Sequence, residues 1–197
     1  MKNLSEQLHE HLLAEGWENR GKKTGSYRTF IDDDNWLTVG VHPAKLTSPK
    51  FKGRPCMHPL GAGVSHRGVH ELFDELFHPQ GFRGFVSQGL ERYSDVDGYF
   101  DPNYLDDEPG STFDEVLQDL AKGLADMANY TGPDGMRRGI EAFFEPGQRK
   151  IYRLLTIDIY EGTWSDKSED MIDELYEIEP RTVKESFIEK VRARLQG

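Results

Sequence analysis

Residues 26–31 and 36–42 are two β-rich runs separated by Asp32, Asp33, Asp34 and Asn35. A tight polar turn between such runs is a β-hairpin signal, and it constrains the rest of the chain to supply a sheet with something to cover it. Alternation along the second run places Leu37, Val39 and Val41 toward a core, with Trp36, Thr38 and Gly40 on the opposite face.

Helical periodicity surrounds this hairpin. Leu4, Leu8, Leu12 and Leu13 mark an opening amphipathic helix over residues 3–15 that stops near Gly16. Val69, Leu72, Phe73, Leu76 and Phe77 define a second over 65–77, ended by Pro79. The capping box from Thr112 to Glu115 opens a third, with Phe113, Val116, Leu117, Leu120, Leu124 and Met127 along one face. Residues 133–144 form a short fourth helix, and a capping box from Thr182 to Glu185 begins a closing one.

Four segments are harder to place. Residues 43–64 carry four prolines and three glycines and read as a long loop. Residues 82–87 read as a short strand interrupted by Gly84. Residues 150–161, KIYRLLTIDIYE, read as the strongest strand, its near-continuous apolarity suiting a central position. The acidic residues 165–179 fit helix or strand equally. The order lacks regular alternation of strand and helix, so the expected fold is α+β. A small, mostly antiparallel sheet is packed by four to five helices in a single domain over 1–197.

Composition narrows the function classes. The chain of 197 residues carries a net charge of −11. Residues 1–56 are slightly basic, so the acidity is concentrated in the remainder. Such a field repels nucleic acid and anionic membrane and attracts cationic partners. No apolar run approaches the roughly 20 residues that cross a bilayer, and the first residues lack the apolar centre of a signal peptide. Cys56 is alone, which rules out an internal disulfide and suits a reducing compartment. The expected location is the cytoplasm.

Two constellations carry chemistry. The first is residues 91–115, dense in carboxylates, with Tyr93, Tyr99, Phe100, Tyr104 and Phe113 set among them. Aromatic side chains anchor interfaces, and surrounding carboxylates steer a cationic partner. On this reading Tyr99, Phe100 and Tyr104 are anchors, and Asp95, Asp97, Asp101, Asp106 and Asp107 are steering charges in a loop spanning 91–111. The alternative tucks Tyr99, Phe100 and Tyr104 into the core while the aspartates cap turns. A second acidic face comprises Asp166, Glu169, Asp170, Asp173, Glu174, Glu177 and Glu179.

The second constellation is histidine-rich. His66, His70, Asp74 and His78 recur every four residues, the helical spacing at which two imidazoles share a metal. Cys56 and His58 lie just upstream as further ligands for zinc or iron, and Glu71 is the acid available as a base. The arrangement is not HExxH, since Arg67 and Gly68 stand between the histidines. A structural reading makes these boundary histidines, with His70 bonded to Asp74 or to backbone.

Other motifs fail on spacing. Ser65 and Ser87 each miss the GxSxG elbow by one residue. Gly61 and Gly63 precede a helix, but neither a dinucleotide nor a Walker pattern follows. A calcium loop begun at Asp97 has Pro102 where glycine is required. Lys45, Lys50, Lys52 and Arg54 form a basic cluster without the interleaved aromatics of nucleic-acid binders.

In size, acidity and absence of catalytic motifs the chain is similar to bacterial immunity and antitoxin-type proteins, which occlude basic enzymes. The likeness is one of class and implies a basic protein partner with no cofactor. The rival expectation is a metal-dependent, hydrolase-type enzyme built on His66 and His70. A third is a structural domain that forms homo-oligomers.

Overall fold

The computed structural model describes residues 4–19, 25–41, 43–45, 55–57, 61–76, 84–93 and 113–178, with five residues between 188 and 194. Its centre is an antiparallel sheet of five strands: β1 (Glu18–Asn19), β2 (Gly25–Phe30), β3 (Asn35–Val41), β6 (Gly61–His66) and β7 (Val86–Gly89), adjacent in that order. β4 (Pro43–Lys45) and β5 (Pro55–Met57) pair separately as a ribbon. With six α-helices among the described residues, the fold is α+β.

The hairpin forms as expected, with Tyr27 opposite Val39 and Phe30 opposite Trp36. Its turn is closed by Asp32, whose carboxylate accepts the backbone N–H groups of Asp34 at 2.9 Å and Asn35 at 2.7 Å. Those bonds hold the Asp32 carboxyl below its ordinary range. Asn35 in turn accepts the Gly132 N–H on its Oδ1 at 2.9 Å, tying the hairpin to the start of a distant helix.

Register and alternation put Tyr27, Val39, Ala62, Val64 and Val86 on one sheet face, all buried. Three helices cover it. α1 (Leu4–Ala14) contributes Leu4, Leu8 and Leu12 and hydrogen-bonds Tyr27 through His9. α3 (Phe113–Met127) comes close enough at Gly123 that a Cβ there would lie 3.2 Å from the Ala62 Cβ. α4 (Gly132–Phe143) does the same at Gly139 against Val86. β3 is also buried at Trp36 and Thr38, so the strand expected to have one covered face has two.

Two expectations are corrected. Residues 150–161 are not a strand: they lie in α5 (Gln148–Glu161). Ile151, Leu154, Leu155 and Asp158 follow a spacing of three and four and form its buried stripe. Gly162, at φ 67°, ends the helix, its N–H bonding Ile159 and that of Thr163 bonding Asp158 at 2.9 Å. The glycines at 147 and 162 bound a segment of helical length, and that outweighs its β-branched content.

Residues 43–64 are not simply a loop, since they contain β4, β5 and most of β6. The glycines of β6 are there because the chain passes close by: a Cβ on Gly61 would lie 3.1 Å from the Gln88 carbonyl oxygen. β6 therefore lies inside the sheet between β3 and β7, while residues 150–161, expected to form a central strand, contribute none.

α2 (Arg67–Leu76) leaves the end of β6 directly, and α5 packs against α2, α4 and α6 (Asp166–Ile178). Ile188 and Val191, in helical backbone as expected for the closing helix, complete the buried core. No helix among the described residues is long and apolar enough to cross a membrane.

Candidate binding surface and the histidine pair

Of the expected interface residues, Asp95, Asp97, Tyr99, Phe100, Asp101, Tyr104, Asp106 and Asp107 lie outside the described residues, as does His58. The two ends of the acid–aromatic stretch are described. Tyr93 donates its hydroxyl to Asp126 at 2.6 Å, and Lys122 donates to its carbonyl at 3.4 Å. Burial, and then that bond to Asp126, raise the Tyr93 phenol above its ordinary value. Phe113 meets His11 edge to face at 5.9 Å. Tyr93 and Phe113 are both partly buried against the core, whereas Tyr99, Phe100 and Tyr104, which the inward alternative concerned, lie outside the described residues.

The histidine row does not lie on one helix. His66 is the last residue of β6, α2 begins at Arg67, and His78 is outside the described residues. The two buried imidazoles meet different aromatic partners: His66 packs on Tyr160 at 5.4 Å, and His70 on Trp36 at 5.3 Å. His70 also faces Asp74 one turn on, at 3.7 Å. Cys56 is placed in β5, opposite Ala44. Among the described residues no three histidine, cysteine, aspartate or glutamate side chains gather as a metal would need.

The second acidic face is fully described up to residue 178. α6 buries Ser168, Met171, Ile172 and Leu175 as one stripe. Asp166, Glu169, Asp170, Asp173, Glu174 and Glu177, spaced three and four apart, are all exposed on another. Glu169 accepts the Trp164 indole N–H at 2.8 Å. None of the six is ion-paired among the described residues. Tyr176 and Ile178 stand exposed beside them, at 39% and 44%.

Beneath this face lies a polar cluster that the sequence did not announce. Asp158 of α5 accepts Arg137 of α4 at 2.7 Å and the hydroxyl of Ser168 of α6 at 2.7 Å. Arg137 also reaches Glu161 at 3.1 Å. Burial opposes the charge on Arg137, but its bonds to Asp158 and Glu161 outweigh that and hold the guanidinium above its ordinary value. Reading 150–161 as a strand put Asp158 on no helix and hid the cluster.

Arg153 presents the opposite case. It lies over Phe144 at 4.8 Å, Phe73 at 5.3 Å and Phe85 at 5.7 Å, and its Nε donates to the Phe85 carbonyl at 2.8 Å. No carboxylate pairs with it among the described residues. Burial, and then the neighbouring Arg149, push it down to about 10. Its surroundings are ring faces, which attract a guanidinium electrostatically.

No family model, curated protein or solved structure matches this chain.

Proposed function

We propose that this chain is an acidic cytoplasmic binding protein that engages a basic protein partner and acts by occlusion, as immunity- and antitoxin-type proteins do. The observation that carries the reading is α6: six exposed carboxylates on one helical face, with Tyr176 and Ile178 exposed beside them. Exposed carboxylates speed the approach of a basic surface, and an aromatic ring among them gives contact area once it arrives. The sequence from 91 to 111 adds the same chemistry, with Tyr99, Phe100 and Tyr104 as anchors and Asp95, Asp97, Asp101, Asp106 and Asp107 as steering charges.

The test is site-specific photo-cross-linking in cells, with the reactive group placed at Tyr176 and, separately, at Tyr99 and Tyr104. The expected product is one basic protein reached from all three positions. Its affinity should fall by about tenfold or more between low and moderate salt, and fall again in Tyr99→Ala/Tyr104→Ala. A neutral or acidic cross-linked protein, or affinity indifferent to both salt and the tyrosines, would refute the reading.

A further inference from the structure

Between α2, α5 and the helical residues near 194 lies a cavity of about 360 Å³. We infer that it is a subsite for one guanidinium or ammonium side chain of the basic partner proposed above, and the inference rests on that reading.

Its walls divide by chemistry. Glu71 and Glu75 stand one turn apart on the same side of α2, both exposed. Leu72 and Ile159 supply an aliphatic lining of the kind that accepts the methylene stem of lysine or arginine. Tyr160 is the aromatic wall, 43% exposed, with one edge braced on the buried His66. Its ring occupies the space beside Gly68, where the hydroxyl would lie 2.8 Å from any Cβ. Acid at the rim, aliphatic lining and an aromatic face are the groups that recognise a long cationic side chain. The volume lies at the low end for ligand pockets, which suits a single side chain.

The cavity already receives a guanidinium from its own chain. Arg194, also part of its lining, pairs with Glu75. That pair is exposed on both sides, at 52% and 56%, and exposed ion pairs are weak and screened by salt. Glu71 pairs with no cation among the described residues. Among the described residues, then, one carboxylate carries no cation and the other is held by a guanidinium through a weak, exposed pair.

The experiment titrates Nα-acetyl-arginine amide into the full chain and follows its backbone amide resonances. The neutral isostere Nα-acetyl-citrulline amide serves as control. The expected result is saturable shifts at Gly68, Glu71 and Tyr160 with a Kd in the millimolar range, about 1–10 mM, and none from citrulline. Arg194→Ala should tighten binding by about two- to fivefold by removing the internal competitor. Glu71→Gln/Glu75→Gln should abolish it, with the remaining amide resonances unmoved. Absence of saturable shifts at these amides, or equal shifts from citrulline, would overturn the subsite. The outcome is separable from that of the broader reading, because cross-linking at Tyr176 reports on the partner whether or not the arginine probe binds.

Discussion

Gly63 in β6 and Gly84 ahead of β7 each occupy the space a side chain on the other would need. A Cβ on Gly63 would lie 2.9 Å from the Gly84 Cα, and one on Gly84 only 2.7 Å from the Gly63 Cα. Thr38 Oγ1 and the Val86 carbonyl oxygen close the remaining space around both. Gly63→Ala must therefore move backbone in the middle of the sheet, and it should destabilise the fold by about 2–3 kcal/mol in urea unfolding. Gly68→Ala meets the Tyr160 ring first, whose exposed end can swing away, and alanine is the better helix former by about 1 kcal/mol. That variant should keep wild-type stability. Equal losses at the two positions would contradict this account of β6.

The same glycines explain why part of the fold was hidden in the sequence. Hairpin, opening helix and α3 were legible because turn chemistry and apolar period agree there. In β6, Gly61 and Gly63 resemble a loop until the neighbours that exclude a side chain are known. In 150–161 the alternation of Leu155, Ile157 and Ile159 coincides with helical spacing from Ile151, and only the bounding glycines separate the two. Of the candidate surfaces, the α6 carboxylates were legible as a charge run. The cavity was not, because it joins Glu71 and Glu75 to Tyr160 across more than eighty residues of sequence.

Asp158 joins three helices through one carboxylate with 8% of its side chain exposed. Asp158→Ala leaves Arg137 and Ser168 without that acceptor and should cost about 2–4 kcal/mol, discounted from a fully buried pair because Arg137 is partly solvated. Asp158→Asn, which can still accept from Ser168, should lose less. Urea unfolding of the two variants checks the order, and a loss under about 1 kcal/mol for alanine would contradict it.

Arg153 separates packing from charge. Arg153→Met keeps most of the volume between Phe73, Phe85 and Phe144 and removes a poorly solvated cation, so its stability should stay within about 1 kcal/mol of wild type. Arg153→Lys keeps the charge but loses the planar stacking, and should be less stable than Met by about 1–2 kcal/mol. Thermal unfolding ranks them. Lysine equal to wild type would show that the rings do not hold the guanidinium.

Asp32 gives the hairpin a pH dependence of definite sign. Its folded carboxyl titrates below the unfolded one, so its contribution is fully present above the ordinary carboxylate range, about pH 4, and disappears as pH falls through the folded value. The stability gap between wild type and Asp32→Asn should therefore close on acidification from about pH 5 toward 2.5. A gap that widens on acidification would reverse the assignment.

The central claim is that the α6 face, and not acidity in general, meets a basic partner. The direct measurement is affinity for the cross-linked partner of two variants matched in charge. One is Asp170→Asn/Asp173→Asn/Glu174→Gln/Glu177→Gln. The other is Glu15→Gln/Asp33→Asn/Glu141→Gln/Glu145→Gln, at exposed positions elsewhere. The account predicts a loss of about tenfold or more for the α6 variant, with the control within about twofold of wild type. Equal losses would reduce the attraction to net charge, and no loss in the α6 variant would remove this face from the interface.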